Sequence, residues 1–441
     1  MNNKKIIIVI VVISILLLGG LIYYVIDMYG DSGISDNTSV STISKSDIEN
    51  IDWSNYSSEE ITLTKSVEIT KEGVYNLTGT ITDGYIYINT DGNVKLVLNN
   101  VSITNKSGPA IYVESAKSVE ISTVKGTTNT LSDGSIYKDY EEGVSGCIYS
   151  KDDLILSGEG ILKVTGNYED GIVSKDDLKI TSGSYVISTK NDGIKGKDSV
   201  EITNGAFTIN SVGDAITSTN DTDEGKGYIL ITDGSFTIKT TGDPETSSAK
   251  GIKAVNQVEI NGGTYSIDTT DDGIHSDGVI KINNGTYTIN TNEDGIHADG
   301  MIEINKGTFS ITASEGIEAT YIKINDGDIN ISATDDGINA SNKSSGYTIN
   351  VEINGGNITI KMGAGDTDAI DSNGNLYING GKIDITANSP FDYDGKAEYN
   401  GGTIIVNGNT VNSITNQMMG GGMGGNMPQG GNMPQNGRRM H

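Results

Sequence analysis

The chain has 441 residues and a formal net charge of −28, from 58 acidic and 30 basic side chains. This surplus of carboxylates argues against nucleic acid as a partner, because sequence-independent binding to phosphates depends on cationic side chains. With 58 glycines, 5 prolines and 21 tyrosines against 4 phenylalanines, the composition favours strands and turns over helices. The single cysteine, Cys147, excludes an intrachain disulfide and is expected to be a buried bystander, so stability must come from packing or bound ions.

Residues 1–29 are predicted to form a short cytoplasmic stub and a membrane anchor. An uncharged run of 21 residues, Ile6–Ile26, is long enough to span a bilayer as a helix. Lys4 and Lys5 precede this run, so the positive-inside rule sends the rest of the chain out of the cell. The alternative is a cleaved signal peptide, whose apolar core would be shorter and followed by a small-residue cleavage site. We therefore expect a single-pass protein of the cell membrane with its body outside.

Two polar segments flank the predicted body, residues 61–415. Residues 30–60 are rich in Ser, Asp and Asn without a fixed period and are predicted to be a linker. Residues 416–441 are rich in Gly, Met, Pro and Gln, which cannot bury a core, and are predicted to be a disordered tail. Binding of a soft metal by the methionines of this tail is the less favoured alternative.

The body is built from a repeat in which the phrase I-T/N-x-G recurs. Its glycines are spaced mostly by 20 to 25 residues, with three gaps of 29, at Gly183, Gly205, Gly234, Gly263, Gly285, Gly307, Gly327, Gly356, Gly381 and Gly402. Apolar residues alternate at period two within each repeat, which is typical of strands. Three short strands per coil of about 22 residues predict an all-β fold, a right-handed parallel β-helix with coils about 4.8 Å apart. The longer spacings, at 217–227 and 341–346, are expected to be surface loops.

The repeat also predicts which side chains stack from coil to coil. One inward row consists of Ile172, Ile194, Ile216, Ile252, Ile274, Ile296, Ile317, Ile338 and Ile370. A second inward row is aromatic and is read as core rather than as a sugar-stacking surface: Tyr185, Phe207, Phe236, Tyr265, Tyr287 and Phe309. Corner amides are expected to hydrogen-bond between coils at Asn261, Asn283, Asn305, Asn325, Asn354, Asn379 and Asn400. An outward row alternates in sign and is read as a wall of ion pairs that needs no ligand: Glu259, Lys281, Glu303, Lys323 and Glu352.

A column of acids at one corner is the main candidate for a metal site. It comprises Asp170, Asp192, Asp214, Asp272, Asp294, Glu315, Asp336 and Asp368, and further acids directly precede some members, as at Asp271 and Asp335. Like charges at about 4.8 Å are destabilising unless something offsets them. One possibility is hydrogen bonding to N–H groups of the same turn. The other is calcium, which takes six to eight oxygen ligands from carboxylates and carbonyls.

Two histidines mark a candidate ligand-binding region. Ile274 and Ile296 face inward, so His275 and His297 must face outward, one coil apart and about 4.8 Å from each other. Asp277 and Asp299 follow them in the motifs DDGIHSDG and EDGIHADG. A solvated pair without a role is one interpretation. The other is that these four residues contact a sugar while the corner acids hold calcium.

The repeated coils with their DDGI and I-x-I-N-G-G-T phrases, between an anchor and a Gly-Met-rich tail, resemble bacterial carbohydrate-binding proteins. Those proteins are calcium-binding right-handed β-helices related in shape to pectate lyases. The resemblance covers roughly residues 61–415. It implies calcium held by coil aspartates and adhesion to plant-wall polysaccharide such as cellulose or pectate.

We therefore expect a monomeric cell-surface protein that binds polysaccharide with calcium as its cofactor, and not an enzyme. A polysaccharide lyase or glycoside hydrolase on the same fold is one alternative, and a structural adhesin or spacer is another. A lyase needs a base beside the calcium. The body has no arginine, so only lysines such as Lys175, Lys195 and Lys253 are available, and these are read as solvated strand residues.

Overall fold

The computed structural model describes residues 39–416, apart from residues 47, 49, 365 and 366. The predicted anchor, Ile6–Ile26, and the tail from residue 417 onward lie outside the described residues. None of the helices in the described part of the chain has the length and hydrophobicity that crossing a membrane requires.

Strands of successive coils pair in parallel and form three stacks, which we name faces A, B and C. Face A contains Val67–Ile69, Ile86–Asn89, Ile111–Ser115, Gly146–Ser150, Asp170–Ser174, Ile194–Gly196, Ile216–Ser218, Ile252–Ala254, Ile274–Ser276, Ile338–Ala340, Asp368–Ser372 and Ser389–Tyr393. Face B contains Ser58–Leu63, Gly73–Ile81, Asn93–Thr104, Ser118–Thr123, Leu154–Gly158, Asp177–Ile180, Ser199–Ile202, Tyr228–Ile231, Gln257–Ile260, Val279–Ile282, Asn350–Ile353, Asn375–Ile378 and Ala397–Tyr399. Face C contains Thr128–Ser132, Ile161–Gly166, Ser184–Thr189, Ala206–Ser211, Ser235–Thr240, Thr264–Thr269, Thr286–Thr291, Thr308–Ala313, Asp328–Ala333, Asn357–Met362, Lys382–Thr386, Thr403–Val406 and Asn409–Val411.

Some strands continue around a corner and join two faces. Ile296–Ile304 and Ile317–Ile324 belong to face A at their start and to face B at their end. Asn93–Thr104 runs from face B into face C. The last strand, Asn409–Val411, pairs antiparallel with its neighbour. The predicted parallel β-helix with three strands per coil is therefore confirmed, while its right-handed sense stays a prediction.

Helical structure in the described residues is limited to short turns. A 3-10 turn spans Trp53–Asn55 and a single α-turn spans Pro244–Ser247. The predicted loop 341–346 lies at the corner between faces A and B, after Ile338–Ala340, and the loop predicted at 217–227 begins there only at residue 219, because residues 217 and 218 belong to the strand Ile216–Ser218. Loops at this corner therefore add residues to a coil without disturbing the register of the strands.

Alternation along each strand produces the core. In Thr264–Thr269 every second side chain, Tyr265, Ile267 and Thr269, is buried and the others are exposed. The predicted isoleucine row pairs in register through the coils, as between Ile274 and Ile296, and its members are fully buried. The aromatic row is likewise internal, with neighbouring rings 4.6 to 5.1 Å apart between centroids. Both predicted core rows are confirmed.

The corner between faces B and C is held by the recurring asparagines and glycines. Six of the seven predicted asparagines donate their amide to the side-chain oxygen of the asparagine one coil before, at 2.7 to 2.9 Å, and Asn261 is the first acceptor. The glycine that follows has a positive φ, as at Gly285 with 137°, where a Cβ would lie 2.6 Å from the Tyr287 hydroxyl. The repeat needs glycine here because a side chain would strain the backbone and meet the core aromatic.

Part of the predicted linker packs along face B, and we name residues 39–56 the N-terminal strap. Backbone N–H groups of Val40 and Ile43 donate to Glu303 and Glu259 at 3.1 and 2.8 Å. Trp53 Nε1 donates to Glu120 at 2.6 Å. The outward row is in register as predicted, but Glu259 and Glu303 are buried and accept hydrogen bonds from the strap where ion pairs along the row had been predicted.

Candidate functional site

The predicted acids do stack at one corner, between faces C and A, and we name them the corner column. Oδ1 of one acid accepts a hydrogen bond from the backbone N–H of the acid one coil later, at 2.9 to 3.0 Å. The acceptor and donor pairs are Asp170 and Asp192, Asp192 and Asp214, Asp272 and Asp294, and Asp336 and Asp368. The expected donors were N–H groups of the same turn. They lie instead in the next coil, because the parallel register brings that N–H directly over the carboxylate.

Lysines neutralise the N-terminal part of this column. Lys195 Nζ lies 2.9 Å from Asp192, and Lys250 Nζ lies 2.6 Å from Asp271 and 3.0 Å from Asp272. Longer ion pairs, at 3.9 Å, join Lys195 to Asp170 and Lys253 to Asp214. The interpretation of Lys195 and Lys253 as solvated strand residues was therefore wrong, since both are directed toward buried carboxylates whose repulsion they offset.

The two histidines lie one coil apart, as predicted, with ring centroids separated by 4.9 Å. His275 bonds to Asp272 through Nδ1 and to Asp277 through Nε2, each at 2.8 Å. His297 Nδ1 lies 2.7 Å from Asp294 and 3.3 Å from Glu318. The rings face outward but are not open to solvent, since His275 is only 9% exposed. Neighbouring carboxylates enclose them.

These carboxylates also set the protonation of the imidazoles. Burial alone lowers the pKa of a histidine, but the hydrogen bond to Asp294 and the other nearby acids outweigh burial and raise the pKa of His297 to about 9. Burial is outweighed in the same way at His275 by Asp272 and Asp277, so its pKa also lies above the ordinary value. The His297 ring is therefore cationic at neutral pH and offsets the charge of the acids in the middle of the column, as the lysines do before it.

In the C-terminal part of the column, from Asp336 onward, no such ion pair is present among the described residues, and the nearby Lys343 pairs with Glu318 at 2.9 Å. Within the described residues neither Asp336 nor Asp371, which lies on the adjoining strand of face A, forms an ion pair. Burial raises the pKa of Asp336 to about 6 and that of Asp371 to about 7, and neighbouring carboxylates add to the effect at both. Asn339 stacks directly beside Asp371, is 8% exposed, and its buried Oδ1 has no hydrogen-bond partner. Asp336 accepts the backbone N–H of Asp368 and Asp371 accepts a hydrogen bond from Asn373 at 3.4 Å, but no cation offsets their charge among the described residues, and the Asn339 amide oxygen beside them is unpartnered.

The ten predicted metal ligands thus do not form one site. Asp170, Asp192, Asp214, Asp271 and Asp272 are buried and paired with lysine or histidine, whereas Asp335 is exposed. Glu315 accepts a hydrogen bond from Asn339 Nδ2 at 2.9 Å. Burial, and to a lesser extent the negative charge of nearby Glu318, raises the pKa of Glu315 to about 8. Of the predicted sugar ligands, Asp277 and Asp299 offer the more accessible side chains, at 45% and 43% exposure.

Sequence reasoning missed an acidic group at the opposite corner, between faces A and B. Carboxylate oxygens of Asp153, Asp176 and Asp177 lie within 4.8 Å of one another. Lys226, from the loop at 217–227, reaches Asp177 at 3.1 Å and offsets part of this charge. The acid pairs DD at 152–153 and 176–177, one coil apart in the sequence, are the signal that could have revealed the group.

Sequence reasoning also missed the start of the outward column on face A. From Ile86 onward, the position that follows each inward apolar residue is occupied in turn by Tyr87, Tyr112, Tyr149, Val173, Lys195, Thr217, Lys253, His275, His297, Glu318, Asn339, Asp371 and Asp392. The column therefore changes from aromatic to basic to acidic along one face. The dipeptide Ile-Tyr at 86–87, 111–112 and 148–149 is the signal that could have revealed the tyrosines.

The profile of one protein family, described as carbohydrate-binding domain-containing protein, matches residues 64–246, 240–295 and 290–418. These segments together cover nearly all the described coils. The chain belongs to this family.

Members of the carbohydrate-binding domain-containing family include a protein from Acetivibrio thermocellus of that description, which is 38% identical over 128 residues. The match spans 28% of this chain and 45% of the relative, so it reaches less than half of the relative's length. A solved structure, described as the polysaccharide lyase-like protein from C. thermocellum in a gadolinium derivative, is 30% identical and covers 58% of this chain and 91% of its own, with a TM-score of 0.44.

Proposed function

We propose that the protein binds polysaccharide along face A and does not cleave it. Membership of the carbohydrate-binding domain-containing family supports a polysaccharide partner. The observation that carries the proposal is the continuous outward column of face A, from Tyr87 to Asp392, in which aromatic, basic and acidic side chains follow one another at the spacing of the coils. Its partly exposed members, among them Tyr87, Lys195 and Asp371, recur along the face at this spacing, and such a repeated array matches a polymer of repeated units better than a single small substrate.

The state of the lysines supports binding rather than lyase chemistry. A lyase base must lose its proton near neutral pH. Burial lowers the pKa of Lys195, but Asp192 and Asp170 outweigh burial and raise the pKa above its ordinary value, so the amine stays protonated. Lys253 is directed toward Asp214. Neither lysine is therefore suited to remove a proton from a uronate.

Calcium belongs to the same proposal, at the C-terminal part of the corner column. The donors there fit a hard cation, because Asp336 and Asp371 supply carboxylate oxygens and Asn339 supplies a buried amide oxygen without a partner. When bound, the ion would offset the repulsion between these acids and could bridge to a uronate carboxylate. The lysine-paired aspartates of the N-terminal part fit calcium less well, since their charge is already neutralised.

A pull-down panel of insoluble polysaccharides, with and without a chelator, tests the proposal. We expect retention of the protein on at least one polysaccharide, without unsaturated product or new reducing ends in the supernatant. Release of product would establish an enzyme instead, and a protein that neither binds nor cleaves any polysaccharide would be a structural adhesin or spacer.

A further inference from the structure

The first coils carry a cluster of tyrosines on the outside of face A. Tyr112 lies between Tyr87 and Tyr149 in the outward column, with ring centroids 5.7 and 5.8 Å away. Tyr140, from the loop that follows Thr128–Ser132, packs edge-on against Tyr112 at 5.4 Å. These rings are separate from the aromatic row of the core, so the interior of the solenoid does not account for them.

A cleft of about 470 Å³ opens beside this cluster, and we name it the tyrosine cleft. Its walls include Tyr85, Tyr87, Tyr112 and Tyr140. Tyr85 is 38% exposed, which is unusual among the large apolar side chains of the described coils. The volume falls within the range of about 300–1,000 Å³ that is typical of small-molecule and sugar-sized sites. Aromatic walls with polar groups at the rim are the lining that such sites have.

The polar rim is fixed by a hydrogen-bond network. Tyr112 donates its hydroxyl to Glu114 at 2.5 Å, and Lys151 reaches Glu114 at 2.7 Å and Glu141 at 2.6 Å. Both glutamates line the cleft, so the pairing with Lys151 orients their remaining oxygens before any ligand arrives. Such preoriented oxygens can accept hydrogen bonds from hydroxyl groups.

The charges around the cleft select the class of ligand. The carboxylates of Glu114, Asp139 and Glu141 exceed the amines of Lys138 and Lys151 by one, so the cleft carries a net negative charge. The carboxylate of a uronate is also negative, so the cleft would repel it. A neutral pyranose would instead place its C–H face on a tyrosine ring and donate its hydroxyls to the carboxylates.

We propose that the tyrosine cleft binds neutral hexopyranose units of a polysaccharide, as a sugar-stacking site distinct from the acidic end of face A. This inference rests on the proposed function and specifies where, and for which class of sugar, face A makes its contact. The neutral site and the acids at Asp336 and Asp371 lie at opposite ends of the same column, so one polymer could contact the cleft without involving calcium.

Titration of the full-length protein with cellohexaose, and separately with oligogalacturonate plus calcium, tests this inference. We expect Tyr85→Ala and Tyr140→Ala to lower the affinity for cellohexaose about tenfold or more, the effect typical of an aromatic anchor, and to leave oligogalacturonate binding unchanged. Tyr85→Phe should retain the affinity, because it keeps the ring. The matched control is Tyr168→Ala, since Tyr168 is 37% exposed, close to Tyr85, but does not line the cleft.

The outcomes separate this inference from the proposed function. Cellohexaose binding that survives both alanine substitutions would overturn the cleft as its site. Binding of oligogalacturonate but not cellohexaose by the parent would overturn the ligand class and leave polysaccharide binding intact. A parent that binds neither these probes nor the panel of insoluble polysaccharides would overturn both.

Discussion

The two parts of the corner column have the same sequence motif and differ in the ion pairs that their acids form. In the N-terminal part, Asp192 and Asp272 are held by Lys195 and Lys250. In the C-terminal part, burial and other acids raise the pKa of Asp336, which has no ion-pair partner among the described residues. The repeat specifies the carboxylate and its bond to the next coil. Residues outside the repeated phrase decide whether that charge is neutralised within the chain or left for an external cation.

Replacing a lysine that pairs with the corner column should have the largest effect on stability. Lys250→Ala leaves Asp271 and Asp272 buried without their cation, because the lysine is only 13% exposed and contacts both. We expect the free energy of unfolding in urea to fall by about 3 kcal/mol. The matched control is Lys239→Ala, whose pair with Asp268 is about half exposed, at 54% and 52%, and should cost less than about 1 kcal/mol. Equal losses would show that the column does not depend on its lysines.

The histidines of the middle of the column should make stability fall at alkaline pH. The folded-state pKa of His297, about 9, lies above the ordinary value of 6.5, so its contribution is fully present below pH 6.5 and is lost as the pH rises through about 9. We expect this loss to reach about 2 kcal/mol, the shift being discounted for partial solvent access. The measurement is urea unfolding of the parent and His297→Gln between pH 6 and 10. The difference between the two proteins should shrink across this window, and a constant difference would contradict the assignment.

Calcium should stabilise the C-terminal part and leave the N-terminal part unaffected. An ion that binds only the folded chain adds about 1.4 kcal/mol at ten times its dissociation constant. We expect calcium to raise the melting temperature of the parent after EDTA treatment, and Asp336→Asn with Asp371→Asn to abolish the increase. Asp192→Asn, in the lysine-paired part, should keep the calcium response. No shift in the parent would leave the acids at Asp336 and Asp371 without a metal.

The coils and their inward rows could be predicted because they depend on local alternation. A strand residue such as Ile274 or Tyr287 faces inward in every coil, and the parallel register stacks identical positions, so the sequence period alone identifies the core. The asparagine ladder follows from the same register. These features need no knowledge of how distant segments pack.

The contacts that define the candidate sites could not be predicted in that way. The N-terminal strap reaches Glu303 from Val40, a separation of 263 residues with no period to indicate it. Lys250 comes from a segment that interrupts the repeat, and its partner Asp271 is fixed only once the coils are stacked. The tyrosines of face A were detectable from the sequence, since Tyr112 follows an inward isoleucine as His275 does. The predicted row of inward isoleucines, however, begins only at Ile172.

The smallest effect should be a change of sign between two Asp→Asn substitutions, one at Asp371 beside the C-terminal part of the corner column and one at Asp272 in its N-terminal part. Asp371→Asn removes a half-buried charge that stands beside Asp392 and near Asp336, so in EDTA at pH 7 it should stabilise the protein by about 0.5–1 kcal/mol. Asp272→Asn removes a carboxylate whose pKa is held below its ordinary value because His275 and Lys250 outweigh burial, and it should destabilise the protein by a similar amount or more. Urea unfolding of both variants gives the two signs directly.

Acidification gives an independent measurement. A carboxyl whose folded pKa is raised to about 7 costs stability above its unfolded pKa, and this cost falls as the pH is lowered from 7 toward 4. Parent and Asp371→Asn should therefore approach each other in stability as the pH falls below 7 and converge near pH 4, close to the ordinary pKa of 3.8. If Asp371→Asn were destabilising at pH 7 without calcium, a cation within the chain would already neutralise this end, and the contrast between the two parts would not hold.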